Sequence, residues 1–180
     1  MPRTVHLFDP PERFVAGTVG EPGQRTFFLQ ARAGGRLTSV ALEKTQVALL
    51  AERIGELLDE LGSADEPFVI AAPEDLAPLE TPIEEEFRVG ALGLGWDPSD
   101  ERVVVEAHAP AEDDDEVPEL GEDSDEGPDV LRVRIDARAA RAFAVRAESV
   151  VSAGRPPCPF CALPLDPQGH VCPRANGYRR

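Results

Sequence analysis

The sequence repeats one pattern of strands and a helix, and this repetition limits the fold to two similar halves. Each half ends in a predicted amphipathic helix, and adding 93 to the apolar positions of the first helix gives those of the second. Their three-and-four spacing is typical of a helix with one buried face. The two sets are Val47, Leu50, Ala51, Ile54, Leu57 and Leu58, and Ala140, Phe143, Ala144, Ala147, Val150 and Val151.

Glu43 and Asp136 precede the two helices at corresponding positions. A carboxylate there can accept hydrogen bonds from the free backbone amides of the first helical turn. Three strands are predicted before each helix, at residues 14–20, 25–30 and 37–42 in the first half and at residues 87–93, 102–107 and 130–135 in the second.

The predicted fold class is α+β. Two β-β-β-α units, each with an open sheet edge and an apolar helix face, are expected to form one antiparallel sheet with both helices on one face. A unit of about 70 residues buries too little surface to fold well alone, so the units should share one domain. Two independently stable modules are the less favoured alternative.

Composition and pattern also predict the domain boundaries. The duplicated domain spans residues 1–154, with repeat one near 12–62, a linker at 63–85 and repeat two near 86–154. The linker contains several prolines, and its residues 68–71 are predicted to add at most a short strand. A C-terminal tail follows at residues 155–180.

An acidic insertion interrupts repeat two at residues 111–129. The net charge is −16, and residues 112–129 contain eleven acidic side chains and no basic one. Because this run has almost nothing to bury, it should stay solvated and disordered. One alternative is a segment that covers an arginine-rich surface, since residues 130–180 contain nine arginines. The other is a calcium loop, but the run lacks the regular ligand spacing of such a loop.

The strongest chemical motif lies in the tail and consists of Cys158, Cys161, His170 and Cys172, which include every cysteine of the chain. Thiolate and imidazole are the ligands that zinc prefers, and a Cys-x2-Cys turn presents two sulfurs to one ion. Four protein ligands leave no open position, so we predict a structural Zn²⁺ rather than a catalytic one. Another metal, a redox role and incidental thiols are the alternatives.

Few other residues suggest chemistry. His6, Asp9 and His108 are the remaining acid-base candidates, and nothing in the sequence places them together. No serine lies in a nucleophile elbow, so no catalytic residue is assigned and an enzyme is not favoured. The glycines of residues 90–95 lie within predicted strands, where bulges or tight strand crossings explain them better than cofactor binding.

A protein partner is expected, with the oligomeric state left open. Arg155, Arg174, Arg179 and Arg180 raise nucleic-acid binding as an alternative, which the strongly acidic composition disfavours. No apolar run approaches the roughly 20 residues that span a bilayer, and no signal-peptide pattern opens the chain. A cytoplasmic location without membrane contact is therefore expected.

The opening residues 5–10, the repeated Phe-x-x-Gly strands and the ending 156–161 through 170–178 resemble an uncharacterised actinobacterial family. That family is described as a repeat protein or domain of unknown function, and the resemblance extends over nearly the whole chain. It implies an actinobacterial cytoplasmic protein with no established activity. Members are encoded near a phosphatidylinositol-kinase-like and a histidine-phosphatase-like protein, which implies a role in a phosphate-linked pathway.

Together these observations predict a non-enzymatic, zinc-stabilised accessory or binding protein that acts through its surface or the cleft between the repeats. A nucleic-acid-binding protein that uses the arginine-rich zinc tail is one alternative. An enzyme of unknown reaction with a site between the repeats is the other, and it would need His6, His108 or carboxylates to converge in a pocket.

Overall fold

The computed structural model describes residues 2–21, 23–62, 73–112, 116–153 and 158–161. The predicted α+β class is confirmed for this part of the chain. Its elements are β1 (Val5–Phe8), β2 (Arg13–Val19), β3 (Thr26–Ala33), β4 (Arg36–Leu42), α1 (Lys44–Leu61), β5 (Glu85–Arg88), β6 (Ala91–Asp97), β7 (Arg102–His108), β8 (Val130–Ile135) and α2 (Ala137–Ser152). The short strand predicted at residues 68–71 lies outside the described residues.

The strands form two four-stranded sheets, ordered β1-β8-β7-β6 and β2-β3-β4-β5. In each sheet three consecutive strands make an antiparallel meander. The fourth strand comes from the other half of the chain and pairs in parallel, with Val5 beside Val130 and Glu85 beside Ser39. The prediction of one antiparallel sheet is therefore wrong, because each meander pairs with a strand from the other half of the chain and the strands form two separate sheets.

The exchange also corrects the predicted strand alignment. Residues 87–93 were expected to form one strand corresponding to residues 14–20, but they are divided between β5 and β6. Phe87 lies in the sheet of β4, whereas Phe14 begins the meander of its own half in β2. The two Phe-x-x-Gly segments are therefore similar in sequence but occupy different positions in the fold.

Both predicted helices are confirmed, and their buried faces meet in one core with the inner faces of both sheets. The buried set contains nine of the twelve predicted positions, while Leu57, Val150 and Val151 are partly buried against the core. α2 packs on β2 of the first half, where the rings of Phe143 and Phe14 stack with centroids 4.4 Å apart. α1 in turn packs on β6 of the second half, so each helix packs against the meander of the other half.

The two helices begin with different capping contacts. Asp136 Oδ1 accepts a hydrogen bond from the backbone N–H of Ala139 at 2.8 Å, as predicted. At the first helix Gln46 Oε1 reaches back and accepts from the backbone N–H of Glu43 at 2.8 Å. Both helix starts are therefore fixed by side-chain hydrogen bonds. No helix in the described part of the chain is long and apolar enough to span a membrane.

A connecting segment lies on the outer face of each sheet. The proline cover, residues 73–84, buries Leu79 against Val15, Phe28 and Ala41 of the first sheet. The acidic cover, residues 116–129, places Leu120 over the second sheet. Residues 116–129 belong to the insertion expected to be disordered, and residues 113–115 of that insertion lie outside the described residues.

Two strand glycines provide the space for these leucines. A Cβ atom on Gly17 would lie 2.5 Å from the side chain of Leu79, and one on Gly95 would overlap Leu120 Cδ2. The register from β6 to β7 is continuous through Gly93 and Gly95, so the expected bulges are absent from this strand pair. These glycines are explained by the close approach of a cover rather than by a break in pairing.

We expect Gly17→Ala to lower the free energy of unfolding by roughly 2 kcal/mol, because the new methyl group would overlap the buried Leu79 side chain and force it to shift. Gly55→Ala is the matched control: it lies within α1, its nearest contact is Arg141 at 3.8 Å, and helix propensity predicts a gain of about 0.5–1 kcal/mol. Urea unfolding measures both. Equal effects of the two substitutions would contradict this account of Gly17.

Candidate functional site

The structure describes only part of the predicted zinc site. Cys158 is buried and Cys161 is half-buried, on either side of the turn at residues 159–160. His170 and Cys172 lie outside the described residues. Among the described residues no group of three or more histidine, cysteine or acidic side chains is arranged to hold a metal ion. The four-ligand zinc site therefore stays a prediction.

The three acid-base candidates do not meet in one place. The ring of His6 lies 6.5 Å from that of Phe87, and Asp9 pairs with Arg134 at 3.2 Å. His108 is buried on the outer face of β7, where its Nε2 lies 3.0 Å from Glu106 Oε2. The convergence that an enzyme would require is not formed by His6, Asp9 and His108.

Glu106 is the centre of a buried charge cluster between the second sheet and the acidic cover. Its side chain is fully buried. Glu106 Oε1 accepts hydrogen bonds from Arg132 Nε at 2.6 Å and from the backbone N–H of Gly121 at 2.8 Å. Arg132 also donates to Asp123 Oδ1 at 2.7 Å and to the backbone oxygen of Glu122 at 2.8 Å. The Glu106–Arg132 ion pair is thus hydrogen-bonded to three consecutive residues of the acidic cover, at positions 121–123.

Opposing effects set the ionisation of this carboxyl group. Burial raises the pKa of Glu106, but hydrogen bonds from His108, Gly121 and Arg132 outweigh burial and lower the pKa to about 2. Glu106 is therefore ionised at neutral pH, and His108 Nε2 must carry the proton of their hydrogen bond. Glu106 and Arg132 carry opposite charges and are hydrogen-bonded to each other, which suits fastening, whereas His108 Nδ1 is buried without an assigned partner among the described residues.

The first sheet has a neutral counterpart of this cluster. Gln30 and Ser39 face each other on β3 and β4, as Glu106 and Arg132 do on β7 and β8. Gln30 Nε2 donates to Ser39 Oγ at 3.1 Å and to the backbone oxygen of Glu80 at 3.0 Å, and the Glu80 N–H donates to Gln30 Oε1 at 2.8 Å. A buried polar residue of a middle strand therefore ties down each cover.

These anchoring residues were not identified from the sequence. The available signal was one polar residue in each apolar middle strand, Gln30 after residues 27–29 and Glu106 after residues 103–105. A polar side chain in such a run must be hydrogen-bonded when buried. The pattern does not indicate its partner, because both covers come from distant parts of the chain.

A cavity of about 380 Å³ lies between the two halves. Its walls come from Gly17 and Thr18 of β2, residues 74–79 of the proline cover, and one face of α2 that carries Arg146, Ser149, Val150 and Ala153. The first half, the cover and the second half therefore all contribute to it. This volume is within the range of roughly 300–1,000 Å³ that is typical of small-molecule sites.

Arg146 lies at the base of this cavity and is only 7% exposed. Its Nε donates to the backbone oxygen of Ala16 at 2.9 Å, and its Nη1 donates to the backbone oxygens of Asp75 and Ala77 at 2.5 and 2.7 Å. Burial lowers the pKa of Arg146, and the nearby Asp75 carboxylate opposes this effect. The guanidinium thus links α2 to β2 and to the proline cover.

A second arginine neutralises Asp75. Arg13 Nε and Nη2 donate to the two carboxylate oxygens of Asp75 at 2.6 and 3.1 Å. These hydrogen bonds hold the pKa of Asp75 below its usual value, against the opposing effect of burial. Asp75 in turn lies 3.5 Å from Arg146 Nη1. Asp75 is therefore shared by Arg146, which lines the cavity, and by Arg13, which lies behind it, and Glu74 adds a second carboxylate to the lining.

The lining of the cavity combines apolar side chains with a few polar groups. No histidine or cysteine is among the described residues that line it, and its hydroxyl groups, Thr18 and Ser149, have no adjacent base of that kind. Leucine, proline and valine side chains form much of the wall beside the single buried arginine. An apolar wall with a few polar groups is the usual composition of a small-molecule site.

These observations define an α+β protein of two sheets with exchanged strands and a cavity between its halves. The chain belongs to the family described as Protein of unknown function (DUF3090), whose model matches residues 6–172. No curated protein and no solved structure matches the chain.

The depressed pKa of Glu106 predicts a pH-dependent stability. Because this pKa falls from 4.5 to about 2 on folding, its stabilisation is present above pH 4.5 and is lost as pH falls towards 2. The shift corresponds to roughly 3 kcal/mol. Urea unfolding from pH 7 to pH 2 should show a steeper loss for the natural chain than for a Glu106→Gln, Arg132→Ser variant. Parallel profiles would contradict the assignment to Glu106.

A mutant cycle tests whether the two anchor pairs are interchangeable. Glu106→Gln alone leaves Arg132 without its buried carboxylate partner and should cost roughly 3 kcal/mol. Adding Arg132→Ser recreates the Gln30 and Ser39 arrangement and should recover at least half of that loss. Unfolding free energies at pH 7 measure the cycle. Losses that simply add would show that the two positions act independently.

Proposed function

We propose that this protein is a non-enzymatic binding protein whose ligand site is the cavity between the two halves. The observation that carries the proposal is the construction of that cavity, with β2, the proline cover and α2 all contributing walls. A ligand that contacts all three elements would be favoured by their existing arrangement and would stabilise it. This fits an accessory role in which the protein delivers or senses a small molecule together with a protein partner.

A structural Zn²⁺ held by Cys158, Cys161, His170 and Cys172 is part of the proposal. The spacing of the two described cysteines and the burial of Cys158 support it. Zinc would stabilise the tail that follows α2, and Ala153 at the end of α2 lines the cavity. The metal would therefore have a structural role in the tail.

The resemblance described above adds further elements to the proposal. We place the protein in an actinobacterial cytoplasm and in a phosphate-linked pathway, and we attribute its two halves to an internal duplication. The equal order of four strands and a helix in both halves supports the duplication. The positions of the N-caps Glu43 and Asp136 before α1 and α2 support it as well.

Nucleic-acid binding receives less support. Most arginines of the described residues that could contact phosphate are paired with carboxylates, including Arg32, Arg88, Arg134 and Arg141. Phosphate contacts need basic groups that are not already neutralised. Chemistry at the cavity also receives less support, because the described residues that line it include no histidine or cysteine.

Filling the cavity tests the binding site. Ser149 is exposed and lines the cavity, whereas Ser152 is exposed on the same helix and does not line it. Fragments that bind the natural chain in an NMR screen of small acids, amides and amines should bind Ser149→Trp at least about tenfold more weakly. Ser152→Trp should leave their affinity unchanged. Fragments insensitive to Ser149→Trp would contradict the proposed site.

Metal content tests the zinc site separately. Native mass spectrometry should find one zinc in the natural chain, and Cys158→Ser or Cys172→Ser should remove it because three ligands bind zinc more weakly. His170→Ala should also lose the metal, while His6→Ala serves as the histidine control and should retain it. Full zinc retention by the cysteine variants would exclude this ligand set.

A further inference from the structure

We infer that the cavity between the halves selects a small carboxylate anion with a short apolar body, bound through Arg146. This inference rests on the proposed function and specifies the chemical class of the ligand.

The first argument is the charge at the base of the cavity. Arg13 and Arg146 are both largely buried, with side-chain exposures of 11% and 9%, and they share the single carboxylate of Asp75. Arg13 occupies both oxygens of that carboxylate at short distance, whereas Arg146 lies 3.5 Å from one of them. Two largely buried guanidinium groups therefore share one carboxylate, and Arg146 has the longer contact with it, so an anion in the cavity would stabilise the second positive charge.

The second argument is the hydrogen-bonding capacity of Arg146. Its bonds to Ala16, Asp75 and Ala77 use Nε and Nη1. Among the described residues no hydrogen-bond acceptor is assigned to Nη2, which carries two N–H donors on a guanidinium that lines the cavity. Hydrogen bonds from a charged guanidinium to a carboxylate are among the stronger polar contacts in proteins.

Ser149 provides a second polar contact. It lies three residues after Arg146 on α2, so the two side chains occupy the same helix face and line the same cavity. A hydroxyl donor at that position can reach the second oxygen of a carboxylate bound to Arg146. The pair of donors therefore matches an anion with two oxygens.

The remaining walls restrict the rest of the ligand. Leu79, Val150 and Pro78 present apolar surface, which favours a short hydrocarbon body. Backbone oxygens of Asp75 and Ala77 surround the guanidinium, and Glu74 stands exposed at the cavity wall. These negative groups disfavour a doubly charged anion such as inorganic phosphate, so a singly charged carboxylate fits better.

A pair of nearly isosteric probes tests the inference on the full chain. At pH 7, 4-methylpentanoate should bind at least about tenfold more tightly than 4-methylpentanamide in calorimetric titrations, because only the carboxylate forms hydrogen bonds to Arg146 in which both partners are charged. Inorganic phosphate should bind more weakly than the carboxylate. Ser149→Glu should weaken carboxylate binding by at least about tenfold and amide binding much less, while Ser152→Glu should change neither.

The outcomes separate this inference from the proposed function. Equal binding of acid and amide, or tighter binding of phosphate, would overturn the carboxylate assignment and leave the cavity as a binding site. Failure of both probes, while other fragments remain sensitive to Ser149→Trp, would also overturn it. If no fragment responds to Ser149→Trp, the binding site itself is wrong, and the inference falls with it.

Discussion

The reciprocal exchange of first strands is the constraint on which the rest of the structure depends. β1 completes the sheet of the second half, and β5 completes that of the first. These strands close one edge of each meander, and the inner faces of the two sheets share a core with α1 and α2. The same arrangement brings α2 against β2, and the cavity forms where the proline cover crosses that contact.

The outer faces show how one architecture accepts different chemistry. Both covers place a leucine on a strand glycine and fasten their backbone to a polar residue of the middle strand. At the buried polar residue of the middle strand the fastening is neutral in the first sheet, through the Gln30 amide, and ionic in the second, through Glu106 and Arg132. The first sheet adds an ion pair at its edge strand, between Arg13 and Asp75. The second cover is acidic and still makes defined contacts with the sheet. Arg132 donates hydrogen bonds to it, and the backbone N–H of Gly121 donates to Glu106.

The helices could be predicted from the sequence, whereas the sheet arrangement could not. The spacing from Val47 to Leu58 identifies a helix by local information alone, and Asp136 caps α2 as its type and position suggest. Parallel pairing brings together Val5 and Val130, which are far apart in the chain. An alternating apolar pattern identifies a strand but does not show which other strand it will pair with. The burial of Arg146 could not be predicted, because an arginine on an amphipathic helix is expected at the surface unless it is paired, and its partners come from β2 and the proline cover.

The exchanged strands also make the two halves mutually dependent for folding. Residues up to 62 contain β4 but not its partner β5, while residues from 73 onward contain β8 but not β1. Either piece alone would expose an unpaired strand edge, a surface prone to association with other chains. Each half therefore needs one strand from the other half to complete its sheet, so the two halves are expected to fold together.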